Sequence, residues 1–458
     1  MKRIALVFPR FFHPSGDVPY GLALIAAHVR THLEADVRIW DATFNPSHEA
    51  LEAWLDQTRP DIVGISVSTV MFDDALRIAT AARQRGAYVF AGGPHATMRP
   101  HSLLERDVID AVVLGEGEET TLDLLRGLVG GQTGPVAGAI VKIDGQPVQG
   151  PPRPPIADLD GLPDPAWDLL PMQQYLDAFG QLDAHDPTLR GTGLIAARGC
   201  PYRCTFCQPT LDRIFGEKLR HRSPQRIIAE IRNLVEQWSI EGYWFFDDTF
   251  TVHKKWLLSF CDALGRSGLK LPWGCTTRAN LIDEESMAAM AAVGCVKIGI
   301  GIESSTPRIV EGVYKKGIRL DDAEQTLARA RRHNIRTLVF FMLGAPGETR
   351  QEILNTVDYA AGLDADEATF SIFVPIPGTA IHDEMVAQGY ALSPNYGDYE
   401  YYSKQPFDGL VPLAELRRIQ RRAFLKFYTR PRRLGNVARA AATRKGLSSI
   451  MRKLGRIL

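Results

Sequence analysis

The sequence predicts an α/β protein. A doubly wound parallel sheet comes first, a partial (β/α)6 barrel follows, and a basic helical tail closes the chain. Three observations carry this. Short β-rich apolar runs alternate with helix-period segments over the first 125 or so residues. The alternation resumes with longer units from Gly193, after a stretch rich in proline and glycine. Strand after strand with helices between them is the pattern of parallel sheets.

In the first region IALVFP (4–9), ADVRIWDAT (35–43), DIVGISVS (61–68), AYVFAGGPHAT (87–97) and DAVVLGEGEET (110–120) read as strands. YGLALIAAHVRTHL (20–33), HEALEAWLDQT (48–58) and FDDALRIATAARQRG (72–86) read as the helices between them. Ligands of such sheets lie outside the carboxyl ends of the strands. Those ends carry Ser66 and Ser68, then Gly92, Gly93 and His95, then Gly115, Glu116 and Gly117. Glycine lets a backbone approach a flat ligand closely, although ordinary turns also favour it. No G-x-G-x-x-G dinucleotide fingerprint is present.

The expected organisation is an α/β domain over 1–145, a linker over 146–190, a barrel over 191–400 and a basic helical region over 401–458. In the barrel, GLIAARG leads into a cysteine cluster, and RSPQRIIAEIRNLVEQW opens a helix with Ser223 as cap and Pro224 in its first turn. GYWFFDDTF, WGCTTRAN, CVKIGIGIESS, RTLVFFMLGAPGET and EATFSIFVPIPGT supply the remaining strands. Chemistry in such barrels sits at the carboxyl ends of the strands.

Composition narrows the class. The chain has 458 residues, is 45% hydrophobic and has six cysteines, too few for a disulfide-stapled secreted protein of this size. The N-terminal MKRIALVFPRFF is a strand rather than a leader, because Arg10 breaks its apolar run. A cytoplasmic location is expected. Charge balances at 53 basic and 53 acidic residues. From Arg417 onward there are 14 Lys plus Arg and no Asp or Glu. Such a tail suits a membrane surface or a solvated helix pair; nucleic acid is not the expected partner.

RGCPYRCTFCQ (198–208) places Cys200, Cys204 and Cys207 on one loop after the first barrel strand. Thiolates so closely spaced are a metal signature. Zinc would need a fourth ligand, for which His221 is the nearest candidate. A four-iron cluster on three cysteines would leave one iron open.

C-x-x-x-C-x-aromatic-C, written here as Cys200, Cys204, Phe206 and Cys207, resembles the radical S-adenosylmethionine (SAM) enzymes. The resemblance implies a [4Fe-4S] cluster on the three cysteines, with SAM on the open iron. Reduction would cleave SAM to methionine and a 5′-deoxyadenosyl radical, with Phe206 near the adenine. It also implies SAM contacts at the other strand ends: Asp247, Arg278, Glu303, and the loop Gly344 to Glu348. Asp247 and Asp248 stand where the family often has Gly-Gly-Glu. Two carboxylate oxygens at Glu303 suit a ribose diol.

With the domain before it, residues 1 to about 400 resemble the cobalamin-dependent subgroup, which includes methylases and anaerobic oxidative cyclases. That implies cobalamin at the ends of the first sheet. Many corrinoid proteins use D-x-H-x-x-G; here His13 and Gly16 match, while Phe11 holds the aspartate position, so cobalamin without a histidine ligand is expected. Methylthiotransferases carry a second cluster in their N-terminal domain. Residues 1 to 199 contain no cysteine, and Cys261, Cys275 and Cys295 read as core.

The resemblance implies a C-methyltransferase acting on an unactivated carbon. Ring formation or rearrangement on a tetrapyrrole, lipid or natural product is the alternative within enzymes, and a corrinoid carrier or sensor the alternative outside them. The expected partners are a small substrate, hydrophobic if the tail meets a membrane, and an electron donor such as flavodoxin or ferredoxin.

Overall fold

The computed structural model describes residues 1–10, 16–131, 134–400, 404–431, 433–435, 441 and 446–447. His13 and half of the residues from Arg417 onward lie outside the described residues. The chain forms two compact units. One is Met1–Tyr175 with Pro209–Arg220 and Asn395–Gly397; the other is Leu176–Gln208 with His221–Pro394 and Asp398–Leu458.

In the first unit, β1 (Lys2–Phe8), β2 (Ala35–Asp41), β3 (Ile62–Ser66), β4 (Tyr88–Gly92) and β5 (Ala111–Val113) pair in parallel. Their order is β2-β1-β3-β4-β5. α1 (Tyr20–His32), α2 (His48–Thr58) and α3 (Phe72–Gln84) make crossovers, the short helices Pro94–Met98 and Pro100–Leu104 link β4 to β5, and α4 (Gly117–Val129) follows β5. Helices on both faces bury the strands twice over, so β1 and β3 read as continuous apolar runs. Ile4 and Leu6 face one core cluster, and Ala5 and Val7 the other.

Two strands that the sequence pattern did not announce extend this sheet. β6 (Ala139–Ile143) and β7 (Gln146–Gln149) add antiparallel at the β5 edge. β7 is polar and mostly exposed, so it lacks the alternation that marks a half-buried strand. It falls inside the stretch expected to be linker.

The second unit holds a six-stranded parallel sheet: β8 (Gly191–Leu194), β9 (Gly242–Phe245), β10 (Trp273–Arg278), β11 (Cys295–Glu303), β12 (Arg336–Leu343) and β13 (Glu367–Ile372). They lie side by side in chain order. β8 and β13 are the two edges, so the barrel is partial. α5 (Pro224–Trp238), α6 (Lys254–Arg266), α7 (Glu284–Ala292), α8 (Leu320–Arg332) and α9 (Arg350–Gly362) connect consecutive strands. The caps follow their chemistry: Ser223 Oγ accepts from Arg226 N at 3.2 Å, and Thr349 and Glu352 form a reciprocal capping box.

The two faces of this sheet differ. Tyr243, Phe245 and Trp273 pack with Phe250 and Phe260 under the helices. Cys261, Cys275 and Cys295 are buried and free, as core residues. On the opposite face glycines leave room for rings. A Cβ on Gly274 would collide with Trp244, one on Gly299 with Phe340, and one on Gly193 with Phe246. α10 (Leu413–Tyr428) buries Leu416, Ile419 and Phe427 and leaves its arginines outward. No helix among the described residues is long and apolar enough to cross a membrane.

Candidate active site

The cysteine loop leaves β8 through Ala197–Arg198 and turns at Gly199, whose φ of +91° favours glycine. It is held by its own Gln208 and by two later segments, one after β11 and one at 380–381, where Ala380 N donates to Gln208 O at 2.7 Å and Ile381 N to Thr205 O at 3.1 Å. Gln208 Nε2 donates to the carbonyls of Cys200 and Tyr202, both at 3.2 Å. Thr205 N donates to Tyr314 O at 3.0 Å, and Thr205 Oγ1 to Val313 O at 2.7 Å. Cys200 and Cys204 are buried, Cys207 partly so, and all three are free thiols. Burial pushes the thiols of Cys200 and Cys207 up. A bound metal reverses that, because coordination deprotonates a thiol outright.

Among the described residues no three His, Cys, Asp or Glu groups converge on a single ion. His221 packs instead against Trp256 at 4.5 Å and His253 at 4.9 Å. A four-iron cluster asks for less convergence, since each cysteine binds a different iron. Three unpaired thiols on one loop, with nothing bridging them, suit that demand.

Arg278, the last residue of β10, reaches this loop. Its Nη1 donates to Cys204 Sγ at 3.3 Å, and its guanidinium lies 3.8 Å over the Tyr202 ring. Its Nη2 donates to Lys316 O, while its Nε is buried without a partner. Glu303 ends β11 at a register shift, with φ +72°. Such a backbone in a non-glycine residue stores strain and marks a functional site often enough to matter. Glu303 Oε1 accepts from Lys316 Nζ at 2.8 Å, and both side chains are buried. Lys316 Nζ also lies 5.6 Å from the Phe206 ring centre, and Phe206 meets Tyr314 edge-on at 5.2 Å.

Asp247 follows β9. Its Oδ2 accepts from Ala196 N at 3.0 Å, and its Oδ1 is buried without a partner. Burial pushes its carboxyl up to about 7. Asp248 beside it is pushed up to about 6 by the same cause, yet its side chain is open to solvent. Glu348 folds back on its own loop: Oε2 accepts from Gly344 N at 2.7 Å and Ala345 N at 3.0 Å. Its Oε1 is buried and unpartnered, and burial pushes it up to about 7. Asp247 Oδ1, Arg278 Nε and Glu348 Oε1 are thus buried polar atoms without a partner among the described residues.

In the first unit the strand ends are bare. Ser66 and Ser68 are half-buried, and neither hydroxyl has a hydrogen-bond partner among the described residues. Gly93 has φ +100°, and a Cβ there would stand 3.0 Å from Val67 O. Gly115 has φ +69°, while a Cβ on Gly92 would meet nothing closer than 3.7 Å. A flat ligand can approach this backbone. A Cβ on Gly117 would strike Ile25 of α1, so that glycine serves helix packing. Two other expected cofactor residues are engaged by the fold itself. His95 is buried, with Nδ1 3.2 Å from Thr69 Oγ1, Nε2 3.0 Å from Ser102 Oγ, and its ring against Phe72 and Tyr396. Glu116 is clamped by Arg220 Nη1 at 3.0 Å and Nη2 at 3.1 Å, and accepts from Ile156 N at 2.7 Å.

Lys316, Tyr202 and Thr205 were not singled out from the sequence. The signal for Lys316 was faint: a lysine before a glycine, in a loop where charge ordinarily means solvent.

A cysteine loop leaving the first strand of an open six-strand parallel sheet, and a separate flavodoxin-like sheet earlier in the chain, define the class: a radical enzyme with a corrinoid-type unit. Comparison with known proteins agrees. Residues 194–360 match the radical SAM superfamily, and residues 17–125 match the B12 binding domain. An uncharacterised methyltransferase of Pyrococcus horikoshii is 34% identical over 428 residues, covering 90% of this chain and 88% of that one. The anaerobic magnesium-protoporphyrin IX monomethyl ester cyclase of Rubrivivax gelatinosus is 26% identical, covering 84% and 70%. Among solved structures, the radical SAM methyltransferase TsrM of Kitasatospora setae, with tryptophan and a SAM analogue bound, superposes with a TM-score of 0.71. That match has 22% identity and covers 85% of this chain and 76% of that one. The chain belongs to the cobalamin-dependent radical SAM enzymes, whose cofactors are a [4Fe-4S] cluster, SAM and cobalamin.

Proposed function

We propose that this enzyme is a C-methyltransferase acting on an unactivated carbon of a small molecule with an apolar body. When bound, the reduced cluster with SAM supplies a radical for hydrogen abstraction, and methylcobalamin supplies the methyl group. Cys200, Cys204 and Cys207 hold the cluster. Glu303 and Phe206 take the ribose and adenine ends of SAM. Arg278 holds the cysteine loop in place and offers its remaining N–H to the cofactor. Asp247 and the Gly344–Glu348 loop close the polar rim. Ser66, Ser68, Gly92, Gly93 and Gly115 form the cobalamin floor.

The observation that carries this reading is the convergence on the cysteine loop of Arg278, from the end of β10, and Lys316, from the loop between β11 and α8. A structural metal knot would need no such buried cations. Support for methyl transfer comes from the Pyrococcus relative named as a methyltransferase. Support for an apolar substrate comes from the glycine-backed face of the barrel, where Phe246, Phe340 and Met342 are accessible. A flavodoxin or ferredoxin would deliver the electron. The cytoplasm is the fitting compartment, and the basic outer face of α10 offers a peripheral membrane contact.

The test is anaerobic incubation of the reconstituted enzyme with dithionite, methyl-labelled SAM and a small-molecule extract. The reading expects 5′-deoxyadenosine, S-adenosylhomocysteine and one labelled product. Deoxyadenosine without S-adenosylhomocysteine would favour cyclisation. Neither product, in an enzyme shown to hold its cluster, contradicts the reading.

A further inference from the structure

Lys316 is a buried lysine that no motif explains. Its backbone is fixed from several directions: its N–H donates to Val310 O at 2.9 Å, its carbonyl accepts from Arg278, and Lys315 and Gly317 on either side have φ +47° and +64°. The side chain is 7% exposed. A lysine ammonium has three donors. Glu303 accepts one, and no other partner is present among the described residues. Burying an ammonium is costly unless it is paired and its donors are met. The remaining N–H groups lie beside Phe206 and Glu303, two residues expected at SAM.

The glycine at 301 shows that this pair is built into the strand. A Cβ there would stand 2.5 Å from Glu303 Oε1 and 2.7 Å from Lys316 Nζ. With glycine at this position the ends of both side chains lie directly above β11, and a Cβ would make them shift.

We propose that Lys316 is a positioning residue for SAM. Its ammonium fixes the Glu303 carboxylate and the Phe206 ring in one arrangement, and its free N–H groups await SAM oxygens. This rests on the reading that SAM binds at this rim. A merely structural lysine would change stability; a positioning lysine changes SAM affinity in a protein that is otherwise fully loaded.

The test uses the full chain, reconstituted anaerobically with cluster and cobalamin. Iron content, cobalamin absorbance and SAM binding to the oxidised, non-turning-over enzyme are measured for the parent and for Lys316→Met, Lys316→Gln and Lys316→Arg. The expected result is unchanged iron and cobalamin in all four. SAM Kd should rise at least about tenfold in Lys316→Met, which removes a charge-assisted hydrogen bond. Lys316→Gln should fall between, and Lys316→Arg should recover most of the affinity. Parent-like SAM affinity in fully loaded Lys316→Met or Lys316→Gln overturns the proposal. Loss of iron from all three variants also overturns it, because Lys316 would then be a structural prop of the cysteine loop. A loaded parent that binds no SAM fails the wider functional reading instead, and is recognised by failing before any substitution is made.

Discussion

Arg278 and Cys204 lie 74 residues apart in the chain, yet Arg278 Nη1 donates to Cys204 Sγ at 3.3 Å. The same guanidinium stacks on Tyr202 and donates to Lys316 O. One side chain thus ties the cysteine loop to the segment after β11. Arg278→Lys keeps the charge and loses the planar fork and the stack. The apo protein should lose about 1.5–3 kcal/mol, the worth of a hydrogen bond to a charged group, and reconstitute with less iron. Thermal melts and iron analysis check both. A Lys variant with the parent's Tm and iron content would show that the fork is idle.

Gly301 makes a sharper test of local geometry. Gly301→Ala forces Glu303 or Lys316 to move. The atoms in the way are the far ends of two flexible side chains, so the shift is cheap and the fold should survive. SAM affinity should fall while cobalamin binding stays as in the parent. Equal loss of both ligands would instead indicate a general collapse.

Asp247 predicts a pH dependence. Its carboxyl rises from an ordinary value near 3.8 to about 7 on folding, chiefly through burial. The folded state therefore holds a proton that the unfolded state releases, so stability falls as pH rises from about 4 to about 7. Asp247→Asn removes the charge and keeps an acceptor for Ala196 N. In cofactor-free protein the variant should match the parent near pH 4 and be more stable at pH 8, by a few kcal/mol at most. Parallel melting curves across this range would show that Asp247 is ionised at no cost.

His95 and Gly93 separate structure from ligand binding in the first unit. His95→Ala takes the partner from Thr69 Oγ1, leaves Ser102 Oγ with Arg99 O alone and opens a cavity beside Phe72, so this unit should melt earlier. The absorbance of cobalamin bound to the folded variant should not change. Gly93→Ala places a strained side chain at the strand end, and cobalamin binding should weaken. An altered cobalt spectrum in His95→Ala would return that histidine to the ligand site.

Much of this was legible in the chain. The cysteine spacing, the succession of parallel strands and helices along the chain and the glycine-ended strands follow from local pattern, because parallel strands and their loops advertise themselves by period and composition. Glu303 was legible as a polar residue at a strand end. What could not be read are relationships made by folding. The bulge that aims Glu303, the Lys316 ammonium under Phe206, and the Arg278 bond to Cys204 join residues distant in sequence. His95 and Glu116 looked like ligand residues by position, yet their polar atoms are taken by Thr69, Ser102, Arg220 and Ile156. β6 and β7 escaped because β7 carries no apolar alternation.

The most direct test of the central claim is the electron paramagnetic resonance of the dithionite-reduced protein, with and without SAM, in the parent and in Cys204→Ala. The account predicts a four-iron cluster signal in the parent that changes when SAM binds, and no such cluster in Cys204→Ala. A Cys204→Ala protein that keeps the cluster and its response to SAM would contradict it.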